Sequence, residues 1–262
     1  MSEQLSGAAL LDALESGALR VAERSADGRW SVNAWVKDEL LKIFRASENV
    51  VHSDASSNPL GTFIDKSALP VQRFDLSKRV RIVPGGSAVR RGAHLAPGVI
   101  CMPPMYVNVG AYVAANTMID SHALVGSCAQ VGARVHLSAA AQLGGVLEPA
   151  QARPVIIEDD VFIGGGCGVY EGVLVRERAV LSAGVILTAS TRVFDLVAER
   201  EITGTREAPL EIPTGAVVVP GTRPARSAFA SGLGLQIHCA LSVKYRDART
   251  DSATALEQAL RG

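Results

Sequence analysis

An aliphatic side chain returns at every sixth position through most of the middle of this chain. From Val89 the column runs through Leu95, Cys101, Val107, Val113, Ile119, Val125, Val131, Leu137 and Leu143. It breaks at Glu148–Ile156, restarts at Ile157 and continues through Ile163, Val169, Val175, Leu181, Leu187 and Val193. All but one of these seventeen positions is Val, Ile or Leu, where chance matching to such a template gives about four. Four positions after each stands a small or apolar residue: Ala93, Val99, Ala111, Thr117, Ala123, Ala129, Val135, Cys167 and Ala179. A hexapeptide period predicts a parallel β-helix. Six residues form one flat side of a triangular coil, and three sides close a turn. The next turn stacks about 4.8 Å above, the usual spacing of paired strands. Each inward aliphatic side chain contributes roughly 1.5–3 kcal/mol on burial. The backbone bonds run between coils, so stability accrues only through stacking. The hexads predict five to six coils. A sandwich of short strands does not hold a strict six-residue register. The period itself leaves the hand of the coil open, although ordinary crossovers are right-handed.

The flanks lack the hexad. Residues 1–79 read as a small helical domain. Leu10, Leu11, Leu14 and, beyond Gly17, Leu19 mark one short helix, and Val36–Phe44 a second with Leu40, Leu41 and Phe44 on one face. Ser53–Pro59 is polar and turn-rich, hence a loop. The coil domain is expected over 80–222 and a strand/helix extension over 223–262. In that extension Leu233–Tyr245 alternates as one or two strands do, and Asp251 or Ser252 caps a final helix, Ala253–Leu260. Glu148–Ile156 and Phe194–Pro213 interrupt the solenoid, and solenoid insertions tend to gather on the binding face.

Composition narrows the function classes. Twenty-six Lys and Arg balance twenty-six Asp and Glu, so no global field draws nucleic acid or an anionic membrane. No apolar run reaches the length that spans a bilayer. The opening residues, MSEQLSGAALLDALESG, lack the basic-then-apolar pattern of a secretory leader. The four cysteines, Cys101, Cys128, Cys167 and Cys239, form no CxxC pair. They read as inert buried thiols of a reducing cytoplasm.

Particular words of the sequence carry more. VGSCAQVG (Val125–Gly132), VHLS (Val135–Ser138), GGVLEP (Gly144–Pro149), IIED (Ile156–Asp159) and STRVFD (Ser190–Asp195) resemble the tetrahydrodipicolinate N-succinyltransferases of bacterial lysine and diaminopimelate synthesis. SGALRVAE (Ser16–Glu23) and RIVPGGSAVRRGA (Arg81–Ala93) fit as well, so the resemblance covers nearly the whole chain. It implies an all-β core in the form of a left-handed parallel β-helix, and a homotrimer with active sites between subunits. It also implies acyl transfer from coenzyme A to the amine of an opened tetrahydropyridine dicarboxylate. No tightly bound cofactor and no metal are expected; succinyl- or acetyl-coenzyme A is a cosubstrate.

Such a reaction needs a group to take the amine proton and donors for the developing oxyanion. The resemblance places the catalytic aspartate at Asp120 and a carboxylate-binding arginine at Arg81, whose planar guanidinium suits bidentate binding. Arg192 is a second candidate for a substrate carboxylate, and Ser138 and Glu171 complete the acceptor side. The donor groove maps onto backbone amides of Ser182–Ser190. Ser182, Thr188, Ala189 and Ser190 lie in it, Gly184 is expected to allow close approach, and Arg226 stands near a coenzyme A-binding lysine of the family. Departures cluster at the site. The family reads roughly GARSEVVEG where this chain has GGGCGVYEG (Gly164–Gly172), so its second carboxylate falls on Gly168 and an arginine on Gly166. Its Asp-Thr-Trp becomes Asp120-Ser121-His122. His122, with a pKa suited to base work near neutrality, is the expected substitute, facing the same side as Asp120 if the strand alternation continues.

Three alternatives stay open at this level. One is a diverged, acetyl-transferring relative of a tabtoxin-like pathway. Another is an inactive trimeric scaffold that lost its chemistry with Gly168. The third is a γ-type carbonic anhydrase using His94, His122 and His136, whose spacings of 28 and 14 fit neither an eighteen-residue stack nor a local pair.

Overall fold

The computed structural model describes residues 5–52, 63–149, 152–205 and 208–247. Ser53–Pro59 and the C-terminal helix expected at Ala253–Leu260 lie outside the described residues.

The hexads build three parallel sheets. Each strand is a two-residue segment whose second member is the column residue, as in Met118–Ile119, Leu124–Val125 and Gln130–Val131. The first face stacks Ile82, Cys101, Ile119, Leu137, Ile163, Leu181 and Val218. The second stacks Val89, Val107, Val125, Leu143, Val169 and Leu187. The third stacks Leu95, Val113, Val131, Ile157, Val175 and Ile212. Partners are eighteen residues apart except at the first pair, Ile82 and Cys101, and where an excursion intervenes, as between Val131 and Ile157. The column residues and their small companions at plus four form one continuous core. The second column is small because it turns inward at the corners, where the chain bends most tightly.

The two excursions leave from the same edge, between the second and third faces. Glu148–Ile156 is held by Lys37, a side chain buried within the chain, which donates to the carbonyls of Pro149 (3.2 Å) and Ala152 (2.7 Å). Burial pushes the Lys37 pKa down. The second excursion is no plain loop: Val193–Asp195 and Arg200–Ile202 form a hairpin. Val193–Asp195 also pairs with Gln236–Tyr245, which pairs in turn with Ala216–Pro224, so these strands extend the first-face sheet. Asp195 anchors the hairpin, accepting from Tyr245 Oη (2.7 Å) and the amides of Val197 and Ala198.

The N-terminal region contains helices α1 (Gly7–Ser16) and α2 (Ala34–Ala46). It also contains two hairpins absent from the sequence reading, Ala22–Arg24 with Trp30–Val32 and Asn49–His52 with Phe63–Lys66. Leu10, Leu11, Leu14, Val36, Leu40 and Ile43 pack with Val109 and Cys128 at the second–third edge. The first hairpin lies on the third face, where Ala22 meets Ile156 and Leu174. A buried charge fastens it. The Glu158 carboxylate accepts from Trp30 Nε1 (2.9 Å), Arg176 Nη1 (3.0 Å) and the amide of Glu177 (3.0 Å), and Arg24 Nε lies 3.5 Å away. Multiple donors are what a buried carboxylate requires.

All four cysteines are free and buried. Burial pushes the thiols of Cys101 and Cys128 up to about 12. Against an unfolded value near 8.5, these neutral thiols stabilise the fold below about pH 8.5. That contribution is lost as pH rises toward about 12. Native protein at pH 8 is therefore expected to show no rapidly reacting thiol toward a disulfide reagent, and all four after denaturation. Fast reaction of the native protein would show that the coil opens.

Candidate active site

In each hexad the residue after the inward one points outward again. On the first face these positions are Asp120, Ser138, Gly164 and Ser182, one per coil, along the edge shared with the second face. At about 4.8 Å per rung, Asp120 and Ser182 stand roughly 14 Å apart. The amides of all four belong to the coil ladder: Asp120 donates to Leu137 (2.9 Å), Ser138 to Ile163 (2.9 Å), Gly164 to Leu181 (2.8 Å) and Ser182 to Val218 (2.8 Å). Their side chains are thus fixed in file by the rung spacing. Asp120 is partly exposed, and its Oδ1 accepts from the amide of Ser121 (2.7 Å). The N-terminal helices and first hairpin dock on the third face and its edge with the second, away from this file.

His122 does not continue the strand. It is the corner residue of its coil, with φ 62° and an exposed side chain. The alternation that would align it with Asp120 therefore stops at Ser121. Its amide donates to Pro104, and its carbonyl accepts from Gln142 Nε2 (3.1 Å). Gln142 thereby fixes this turn. Arg81 is exposed on the first face too, but two rungs below Asp120 and in the column nearer the opposite edge. Arg192 is paired with Glu201. Within one chain neither arginine meets Asp120.

On the donor side several amides are already engaged. The amide of Gly184 goes to Gly165 (3.0 Å), that of Thr188 to Thr191 Oγ1 (2.9 Å), and that of Ala189 to the Glu171 carboxylate (3.0 Å). Glu171 thus buttresses the donor segment. Within the chain, then, the amides of Ser182, Gly184, Thr188 and Ala189 are taken by the ladder and by local side chains. Hydroxyls remain for a ligand on Ser182 and Ser190, while Thr188 Oγ1 lies between Ser190 Oγ (3.2 Å) and Thr191 Oγ1 (3.1 Å). Gly184 is set by its φ of 77°, not by close packing, since a β-carbon there would meet only Pro220 Cγ at 3.9 Å. Arg226 is exposed beyond the last coil.

Comparison with known proteins bears directly on this edge. Over 258 residues the chain is 45% identical to a 2,3,4,5-tetrahydropyridine-2,6-dicarboxylate N-succinyltransferase of Paramagnetospirillum magneticum, covering 97% of this chain and 88% of that one. The chain belongs to this family. A Nitrobacter winogradskyi relative of the same name is 45% identical over 255 residues, covering 96% and 87%. A family model for the tetrahydrodipicolinate N-succinyltransferase N-terminal region matches residues 8–45, and one for the hexapeptide repeat of succinyl-transferase matches 154–189. A solved Campylobacter jejuni chain bearing a tetrahydropyridine-2-carboxylate N-succinyltransferase name aligns with a TM-score of 0.48 at 16% identity. This chain is covered over 97% and that one over 65%. The N-succinyltransferase family is one of acyltransferase enzymes.

Histidines on this frame serve other ends. His94 stacks on Tyr112 with Nδ1 2.9 Å from the carbonyl oxygen of Glu15, and His136 stacks on Phe162. Among the described residues, no group of three or more His, Cys, Asp or Glu side chains is placed to hold a metal, and no helix is long and apolar enough to cross a membrane.

Proposed function

We propose that this chain transfers a succinyl group from succinyl-coenzyme A to the amine of ring-opened tetrahydropyridine-2,6-dicarboxylate. The observation that carries this reading is 45% identity to N-succinyltransferases over 97% of the chain. Asp120 heads an outward file on an edge that the N-terminal helices leave uncovered. In the reaction the amine nitrogen attacks the thioester carbonyl carbon. The carbon–nitrogen bond forms, the carbon–sulfur bond breaks, and the proton leaves the amine for the Asp120 carboxylate, which returns it to the departing thiolate. The hydroxyls of Ser138 and Ser182 line the path between acceptor and donor. His122 at the adjacent corner is a second proton acceptor, and Arg81 and Arg192 bind substrate carboxylates, Arg192 after release from Glu201. Glu171 acts by positioning the Thr188–Ser190 segment, and Arg226 meets coenzyme A phosphates.

The coil is left-handed in this reading, and three copies assemble with sites between them. Exposed Phe229, Leu233, Leu235 and Ile237 at the C-terminal extension supply apolar surface for such contacts. The enzyme works in the cytoplasm on small molecules. Neither the acetyl-transferring, tabtoxin-type alternative nor the inactive scaffold gains support from the relatives' names.

The test is coenzyme A release followed with a thiol reagent, using enzymatically generated tetrahydrodipicolinate and, separately, succinyl- and acetyl-coenzyme A. Turnover with the succinyl donor is expected. Turnover with acetyl-coenzyme A alone would reassign the donor, and none with either would overturn the reading.

A further inference from the structure

The outer surface of the second face carries a bare strip beside the Asp120 edge. Gly144, just after the inward Leu143, and Gly168, just before the inward Val169, lie on adjacent rungs of it. The ring of Tyr170 lies across both. A β-carbon at Gly144 would come 2.7 Å from ring atom Cδ1. One at Gly168 would come 2.4 Å from Cε2 and 2.8 Å from the hydroxyl. The two glycines are therefore the bed of this ring, and a side chain at either position is incompatible with where the ring lies.

The ring runs from position 170 back over position 168, toward the edge shared with the first face. That leaves the hydroxyl over Gly168, on the side of the second face nearer the edge whose file Asp120, Ser138, Gly164, Ser182 lacks a side chain at Gly164. Tyr170 is partly exposed, and its hydroxyl makes no hydrogen bond to another described residue. A phenol set in an apolar bed ordinarily finds a partner for its O–H. Here the space in front of it belongs to whatever occupies the edge. The surrounding run, Gly164-Gly165-Gly166-Cys167-Gly168, contributes no charged side chain. A carboxylate reaching this point therefore meets a neutral donor.

We propose that Tyr170 contacts the ligand directly, its phenol donating a hydrogen bond to a substrate carboxylate oxygen. This rests on the acyl-transfer reading above, in which both the succinyl donor and the dicarboxylate acceptor carry carboxylates. Hydrogen bonds of this kind are charge-assisted and correspondingly strong.

Tyr170→Phe keeps the ring and its bed and removes only the hydroxyl. The expected result is a KM for one of the two substrates raised about 10- to 100-fold with kcat little changed, the pattern of lost ground-state binding to a charged group. A rise confined to succinyl-coenzyme A locates the bond on the donor, and a rise confined to tetrahydrodipicolinate locates it on the acceptor. Unchanged KM for both overturns the proposal, because a purely packing role would not register the loss of an oxygen. Gly168→Ala pushes the flexible ring aside and is expected to reproduce the effect, with nothing added in the double variant. If the wild-type protein releases no coenzyme A from either donor, the acyl-transfer reading falls. Calorimetric titration with succinyl-coenzyme A and with pimelate then reads Tyr170 alone. Weaker binding by Tyr170→Phe of either ligand upholds the contact. Equal binding, or none by either protein, overturns it.

Discussion

Asp120→Asn is expected to lower kcat/KM for coenzyme A release by about 10²- to 10⁴-fold, the contribution of a positioned general base. The substitution is nearly isosteric. Oδ1 can still accept the Ser121 amide, and the bond from the Asp120 amide to Leu137 belongs to the backbone. Folding should therefore change by no more than about 0.5 kcal/mol, as for other partly exposed positions. Circular dichroism melting of both proteins separates the two effects. The amide cannot take a proton from the attacking amine, so the loss should fall in kcat as well as kcat/KM. Activity within a factor of a few of wild type would remove Asp120 from proton transfer and move that role to His122. Asp120→Asn and His122→Gln compared in one assay thus decide between the two candidate acceptors.

Leu137→Ala is expected to cost about 2–5 kcal/mol of folding stability. Leu137 is fully buried between Ile119 below and Ile163 above on the first face. A globular core can relax around a truncated side chain. Here the ladder holds neighbouring rungs at fixed spacing, so the void closes poorly and the cost belongs at the upper part of that range. The measurement is the urea midpoint at a fixed protomer concentration, since any association would shift it. A loss below about 1 kcal/mol would mean that the coil repacks as freely as an ordinary core. Because each rung depends on its neighbours, the destabilisation should extend to amide exchange throughout the adjacent coils.

The coil was legible because its period is enforced at every turn: each missed hexad would leave an inward polar group or a cavity. Val89 through Leu187 could be assigned residue by residue on that ground alone. The hairpin Ala22–Arg24/Trp30–Val32 was not, since its strands are three residues long and too short to show a period. The one local signal was Asp27-Gly28 at the turn. Its anchor, Trp30 to Glu158, joins positions 128 apart in sequence, and no periodicity reports such a pair. At the site the file of Asp120, Ser138 and Ser182 follows from counting eighteens and the intervening excursion. The turn at His122 was misread because alternation was carried past the corner, where φ changes sign. The engaged amides of Thr188 and Ala189 were hidden because Thr191 and Glu171 occupy them by folding back, which spacing cannot show. Tyr170 stands two residues from Gly168, and the same-face rule for such pairs was the available clue.

The rung spacing also makes the edge a ruler. Asp120 and Ser182 are separated by a whole number of coils, so removing or adding one complete turn between them would shorten or lengthen the groove by about 4.8 Å. Every remaining hexad would stay in register. A length change within the hexads by anything other than a full turn would rotate all later outward residues onto the wrong edge, unless it looped out at an edge as Glu148–Ile156 does. Substrate reach in this architecture can therefore be lengthened or shortened only in steps of a full turn, and a variant with one coil excised would be a graded probe of how far apart donor and acceptor must lie.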